Sequence, residues 1–186
     1  MGRPLAPLLP WSLHPEEMRY LASPAGTGVQ PYAGTMKLTP PENACDRDWL
    51  SLRMKLWPDG NESEHLRDMA DIVARGHLVL LAVDASGMAV GFVEASERVD
   101  FVNGTSSSPV AFLEGLYVDP NSRRQGIARA MVVAVDRWAA RQGCTELASD
   151  SPVENVVAHA THRALGFEET ERVVYFRRAV HAAQPD

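Results

Sequence analysis

The run Leu113-Glu-Gly-Leu-Tyr-Val-Asp-Pro-Asn-Ser-Arg-Arg-Gln-Gly-Ile-Ala-Arg129 constrains this chain more than any other stretch. An apolar strand stopped by Pro120 passes through a short basic turn into a glycine that opens a helix. A helix start leaves backbone N–H groups without intrahelical partners and carries the positive end of the dipole, so it holds phosphate oxygens. In Arg123-x-x-Gly126-x-Ala128, small residues stand where a ligand must approach the backbone closely, with guanidinium groups beside them. The pattern is that of a pyrophosphate site on a strand-to-helix turn and points to coenzyme A. A plain solvated turn is the alternative for Arg123-Arg124, and the Gly-x-Ala that follows makes it the weaker one.

At 186 residues the chain is one domain, or one domain with an appendage, and is long enough to bury a full core. Its net charge of -6 argues against nucleic acid, which asks for clustered Lys and Arg, and suits a cationic partner. Cys45 and Cys144, the only cysteines, match no disulfide or zinc spacing; they fit core thiols in a reducing cytoplasm. No metal-ligand cluster stands out, and no apolar run approaches the roughly 20 residues that cross a bilayer. Residues 1–35 are rich in Pro, Gly, Ala and Ser without sustained period. They read as a disordered extension or as sequence ahead of a start at Met36, which makes 36–186 the working domain. Pro7 and Pro10 interrupt the one run that resembles a signal-peptide core.

The spacing predicts a short strand at Lys37–Thr39, a helix from Asp46 ended by Pro58, and a second helix from Ser63 to Arg75 with Gly76 as its stop. Leu78–Val83 and Ala89–Ala95 form a hairpin across Asp84-Ala-Ser-Gly87, followed by a polar loop from Arg98 to Ser108. Val110–Val118 is the next strand, and the helix after Gly126 ends near Gly143. A short strand at Glu146–Ser149 precedes Ser151-Pro-Val-Glu154, which reads as a capping box opening a helix that runs to Leu165 and stops at Gly166. Residues 167–177, with Val173-Val-Tyr-Phe176, supply one or two final strands.

This order, with Arg123-x-x-Gly126-x-Ala128 after a long strand and Asn155-x-x-Ala158-x-x-x-His162-x-x-x-Gly166-Phe167 on the last helix, resembles the GNAT superfamily of acetyl-CoA-dependent N-acetyltransferases. The resemblance implies an α/β (α+β) fold: a mixed, mostly antiparallel sheet of about six to seven strands flanked by about four helices. A narrower set of motifs is similar to bacterial aminoglycoside 6′-N-acetyltransferases. These are Leu56-Trp-Pro58, Asp100-Phe-Val-Asn-Gly104, Ser107-Ser-Pro109, Phe112-Leu-Glu-Gly115, Ala148-Ser-Asp150 and Gly166-Phe-Glu-Glu-Thr-Glu-Arg172. That match implies a cytoplasmic enzyme of antibiotic resistance that acetylates the 6′-amine of a polycationic aminoglycoside by direct transfer. Dimers are frequent among relatives, so the resemblance allows a homodimer, although no interface can be read from the sequence.

The resemblance also implies site residues. The backbone of Leu116, Tyr117 and Val118 would hold the pantetheine arm. The turn of Arg123, Arg124, Gln125, Gly126, Ile127, Ala128 and Arg129 would take the pyrophosphate, with Asn155 and His162 also on the coenzyme. Aminoglycoside contacts would fall on Trp57, Phe101, Glu114, Asp150 and Glu171, with Glu114 and Asp150 doing the catalytic proton work. The family often has tyrosine, its usual proton donor to the departing thiolate, where His162 stands, and tyrosine where Phe101 stands.

Several of these residues carry a second reading. Glu114 sits mid-strand among apolar neighbours, where an unpaired buried carboxylate costs several kcal/mol, so it is a cleft group, an exposed edge residue, or one paired with arginine. Asp150 also suits a turn or cap, Glu171 a solvated acidic run, and Trp57 a core aromatic closing its helix. His162, with helical neighbours Ala158 and Leu165, packs or faces the coenzyme. Two rivals to the aminoglycoside activity remain: a GNAT enzyme for another polyamine or amino sugar, and a non-catalytic module that binds acetyl-CoA or drug.

Overall fold

The computed structural model describes residues 36–179, which divide at Asp150–Ser151 into two compact units. The expectations for residues 1–35 lie outside the described residues.

The first unit is built on five strands in the order β1 (Lys37–Thr39), β2 (Leu78–Val83), β3 (Ala89–Arg98), β4 (Val110–Val118) and β5 (Leu147–Ser149). Neighbours are antiparallel except β4 and β5, which pair in parallel. A parallel pair needs a crossover, and helix α3 (Ile127–Arg141) supplies it. Helices α1 (Arg47–Leu56) and α2 (Glu62–Ala74) join β1 to β2.

Local chemistry sets the helix ends. The Asp46 carboxylate accepts the backbone N–H groups of Asp48 and Trp49 and starts α1. Asn61 and Glu64 form a reciprocal capping box at α2. Pairing alternates along β2: Val79 and Leu81 join Trp49, Leu50, Leu52, Met69 and Phe92 in the core under α1 and α2. The alternate residues Leu78, Leu80 and Ala82 are also buried and point to the opposite face, where α3 packs on β2, β3 and β4. Cys144 is buried as expected, whereas Cys45 is exposed in the turn ahead of α1.

One charged group crosses this core. Glu94, 2% exposed, receives the Trp49 indole N–H at 2.6 Å and Arg53 Nη1 at 2.6 and 2.5 Å. Arg53 reaches on to Asp68 at 3.3 Å. Burial pushes the Glu94 carboxyl up, and the Arg53 guanidinium and Trp49 indole oppose that shift. The pair ties α1 to β3.

The second unit holds helix α4 (Val156–Leu165), stopped by Gly166 in the left-handed region at φ 100°. Two expectations are corrected here. The helix does not start from Ser151-Pro-Val-Glu154: Asn155 is its cap, with Oδ1 accepting the Ala158 N–H at 3.0 Å, and Ser151 to Glu154 form an irregular turn. The strand count is also lower than the expected six to seven, because residues 167–179 form no strand. Val173-Val-Tyr-Phe176 has strand-forming residues, but a strand exists only through its ladder, and the segment has no ladder partner among the described residues.

Breaking the buried pair tests the tie between α1 and β3. Glu94→Gln leaves the Arg53 charge without its buried counter-ion, with only the exposed Asp68 remaining, and is expected to cost about 3–5 kcal/mol in urea denaturation. Replacing Arg53 by Met in the same chain should recover most of that loss.

Candidate active site

The site begins with a fault in the sheet. Along β3 and β4, Glu94 pairs with Gly115 while Ala95 pairs with Leu113, so β4 carries one extra residue at Glu114. The bulge shifts the side-chain phase. Phe112 and Glu114 before it, and Gly115 and Tyr117 after it, share the face covered by α1. On the other edge of β4, β5 pairs only with Ala111, Phe112 and Leu113, the last opposite Ser149. From Glu114 to Val118, β4 therefore has no strand beside it on that edge among the described residues. The residues that follow the final pair are Glu114 in β4 and Asp150 just beyond the end of β5.

Glu114 takes the arginine-paired reading. Its side chain is 32% exposed, and it binds Arg98 at 2.8 Å and the Ser96 hydroxyl at 2.5 Å. Arg98 went unnoticed in the sequence because it ends the preceding strand and gives no local signal for a cross-strand partner. His77 feels the same cluster. Burial lowers its pKa, the Glu114 charge opposes this, and Arg75 and Arg98 add to the lowering. Asp150 is exposed.

Trp57 caps the C-terminal end of α1, and its carbonyl oxygen lies 3.1 Å from Nε2 of the buried His65. Its ring meets Phe92 edge-on at 5.9 Å and lies 4.7 Å from the Arg53 guanidinium. It also lies flat enough on β4 that a Cβ at Gly115 would sit 2.6 Å from Cη2. The ring is half-buried and packs against the core, which is the core-aromatic reading.

Phe101 lies in the loop between β3 and β4. Val102 is buried with Val110 and Phe112, and the Glu146 carboxylate receives the backbone N–H groups of Ser106 and Ser107 and both their hydroxyls. Those donors, the Ser107 hydroxyl foremost, hold Glu146 below the usual carboxylate range. The anchored loop leaves Phe101 80% exposed.

At the far end of β4, the Tyr117 ring packs into the core under α1 and its hydroxyl donates to Asp119 at 3.2 Å, so the strand offers backbone there and not the phenol. Burial pushes the Tyr117 hydroxyl up and keeps it protonated. Lys55 grips Asp119 at 3.0 Å, and Arg123 Nε donates to the Val118 carbonyl at 2.9 Å. Arg124 and Gly126 both take the left-handed region, at φ 61° and 83°, and no side chain caps α3. A turn of that shape bends the chain sharply and aims the first N–H groups of α3 outward, which is the geometry that holds an anion.

The second unit carries Asn155, His162 and Glu171. Asn155 spends its amide oxygen on the cap of α4. His162 places Nδ1 2.8 Å from the Ala158 carbonyl and meets Phe167 edge-on at 5.2 Å. Glu171 is exposed on irregular chain. No cluster of metal-ligating side chains occurs among the described residues.

Comparison with known proteins adds to this geometry. The model of the acetyltransferase (GNAT) family matches residues 46–167. A relative from Stenotrophomonas maltophilia, an aminoglycoside N(6′)-acetyltransferase type 1, is 52% identical over 147 residues, covering 78% of this chain and 93% of the relative. The crystal structure of an aminoglycoside antibiotic 6′-N-acetyltransferase from Acinetobacter baumannii superposes with a TM-score of 0.75 at 46% identity, over 78% of this chain and 99% of that one. A second solved structure, in complex with the bisubstrate analogue CoA-S-monomethyl-acetylneamine, gives a TM-score of 0.72 at 43% identity, over 78% and 99% of the two chains.

The close seat of Trp57 on Gly115 is open to test. Gly115→Ala is expected to cost about 1–3 kcal/mol, because the rigid indole and the strand backbone must move apart. In a chain that also carries Trp57→Phe the smaller ring leaves room, and the penalty should shrink in denaturant titration.

Proposed function

The chain belongs to the acetyltransferase (GNAT) family, and from that premise we propose that it moves the acetyl group of acetyl-CoA to the 6′-amine of aminoglycoside antibiotics, an activity that gives resistance to them. One observation supports the site assignment: Glu114 and Asp150 are the residues that follow the last pair between β4 and β5.

The residues present fit coenzyme A. The unpartnered edge of Leu116, Tyr117 and Val118 supports backbone pairing to a pantetheine arm, much as an added strand would pair. The turn from Arg123 to Arg129 combines two left-handed residues, guanidinium groups and the start of α3, which suits a pyrophosphate. Bound there, acetyl-CoA supplies a thioester whose carbonyl is activated toward an amine.

The protein's own part is placement and proton handling. An aminoglycoside amine arrives as ammonium and must lose a proton before its lone pair can attack. A carboxylate beside the cleft binds the cation, orients it and takes that proton, directly or through water. Glu114 and Asp150 have this role, and Trp57 and Phe101 offer flat apolar faces to sugar rings. Asn155, His162 and Glu171 keep the assignments the family pattern gives them. In this reading transfer is direct, from thioester to amine with no covalent acetyl-enzyme.

The reading extends to organisation and place. Residues 36–186 form the catalytic domain. This is supported by relatives almost wholly matched by 78% of this chain. The enzyme works in the cytoplasm, where acetyl-CoA is available; no helix among the described residues is long and apolar enough to cross a membrane. It pairs as a homodimer. Val174, Tyr175 and Phe176, 75%, 84% and 92% exposed, are strand-forming residues that a second copy would cover.

Neutral isosteres test the carboxylates. Glu114→Gln and Asp150→Asn should each lower turnover of an aminoglycoside by about 10²-fold or more while the urea midpoint stays near that of the unaltered chain. A variant that keeps the full rate removes its residue from the mechanism.

A further inference from the structure

Arg98, the last residue of β3, is held from two sides. Its Cζ lies 3.4 Å from the centroid of the Phe112 ring, so the guanidinium rests on an aromatic face. Its Nε and Nη2 reach Glu114 Oε1 at 3.2 and 2.8 Å, and Nη2 reaches Oε2 at 2.9 Å. Ser96, itself 2% exposed, donates its hydroxyl to the same Oε1. The two oxygens of one carboxylate are thus treated differently. Oε1 takes the Ser96 hydroxyl and two guanidinium N–H groups, which fills its lone pairs, whereas Oε2 takes a single donor and keeps room for another.

We propose that Arg98 is a positioning residue for acetyl transfer: seated on Phe112, it turns the Glu114 carboxylate so that Oε2 is the atom offered to the substrate amine. The proposal rests on the assignment of Glu114 as the amine-binding carboxylate. A glutamate with three free torsions would have to be ordered at each encounter, and the fixed fork of the guanidinium removes that cost beforehand. A lysine could keep the charge at this position, but it has no planar fork to grip the carboxylate and lie flat on Phe112. The guanidinium also offsets the charge of Glu114. Attraction of a polycationic drug from a distance then falls mainly to the exposed Asp150, and Glu114 acts at contact range.

Steady-state kinetics of the full chain with acetyl-CoA and an aminoglycoside test this, using Arg98→Leu, Arg98→Gln, Arg98→Lys, Glu114→Gln and the Arg98→Gln/Glu114→Gln pair. The expected result for Arg98→Gln is a fall of about 10- to 100-fold in kcat/KM for the aminoglycoside, with the acetyl-CoA KM and urea midpoint unmoved. Arg98→Lys should recover part of the loss, and the paired variant should be no slower than Glu114→Gln alone. Arg98→Leu serves as the apolar control for packing on Phe112. If Glu114→Gln is impaired while every Arg98 variant turns over normally, the positioning role is wrong and the role of Glu114 stands. Losses that add in the paired variant, or that follow the urea midpoint, also overturn it. If Glu114→Gln itself is fully active, the assignment of Glu114 falls and the positioning role falls with it.

Discussion

After Leu113, β4 loses its parallel neighbour while keeping its antiparallel one, and the proposed site depends on that separation. A strand inside a sheet normally spends its N–H and C=O groups on both sides, and leaving one side unpaired in a buried place is costly. Here the bulge at Glu114 falls where β5 stops pairing. The same step exposes a backbone edge, turns Gly115 under the Trp57 ring, and brings Glu114 level with Asp150. Backbone for one ligand and carboxylates for the other thus come from a single irregularity in one strand.

Two arginine–carboxylate pairs flank that irregularity and do different work. Arg53 and Glu94 lie in the core, where neither charge could stay without the other, and they fix α1 and its terminal Trp57 against β3. Arg98 and Glu114 pair across β3 and β4 but remain partly exposed, so their carboxylate stays within reach of solvent. One pair is sealed in the core and the other is accessible. Asp150, exposed at the end of β5, supplies negative charge that no arginine offsets among the contacts seen.

Features with local chemistry were legible in the chain. The Asp46 cap, the stop at Gly166 and the turn before α3 follow from side chains and glycines acting within a few residues of themselves. The strand-to-helix motif and the Glu114 and Asp150 positions could be found for the same reason, and the family pattern ordered them. Features made by pairing were not legible. The bulge at Glu114 is a property of two strands, the Arg98 contact spans a hairpin and its loop, and Val173 to Phe176 is a strand only if something pairs with it. Asn155 shows the intermediate case. It caps α4 by accepting the N–H three residues ahead, where the sequence pointed to Ser151-Pro-Val-Glu154 instead.

The most direct measurement is release of coenzyme A from acetyl-CoA in the presence of neomycin B or paromomycin I. The two drugs share a scaffold but carry an amine and a hydroxyl, respectively, at the 6′ position. Turnover with neomycin B and none with paromomycin I is the predicted result, since only neomycin B offers an amine at that position. Equal turnover with both drugs would contradict the 6′ assignment, and silence with both would contradict acetylation of aminoglycosides altogether.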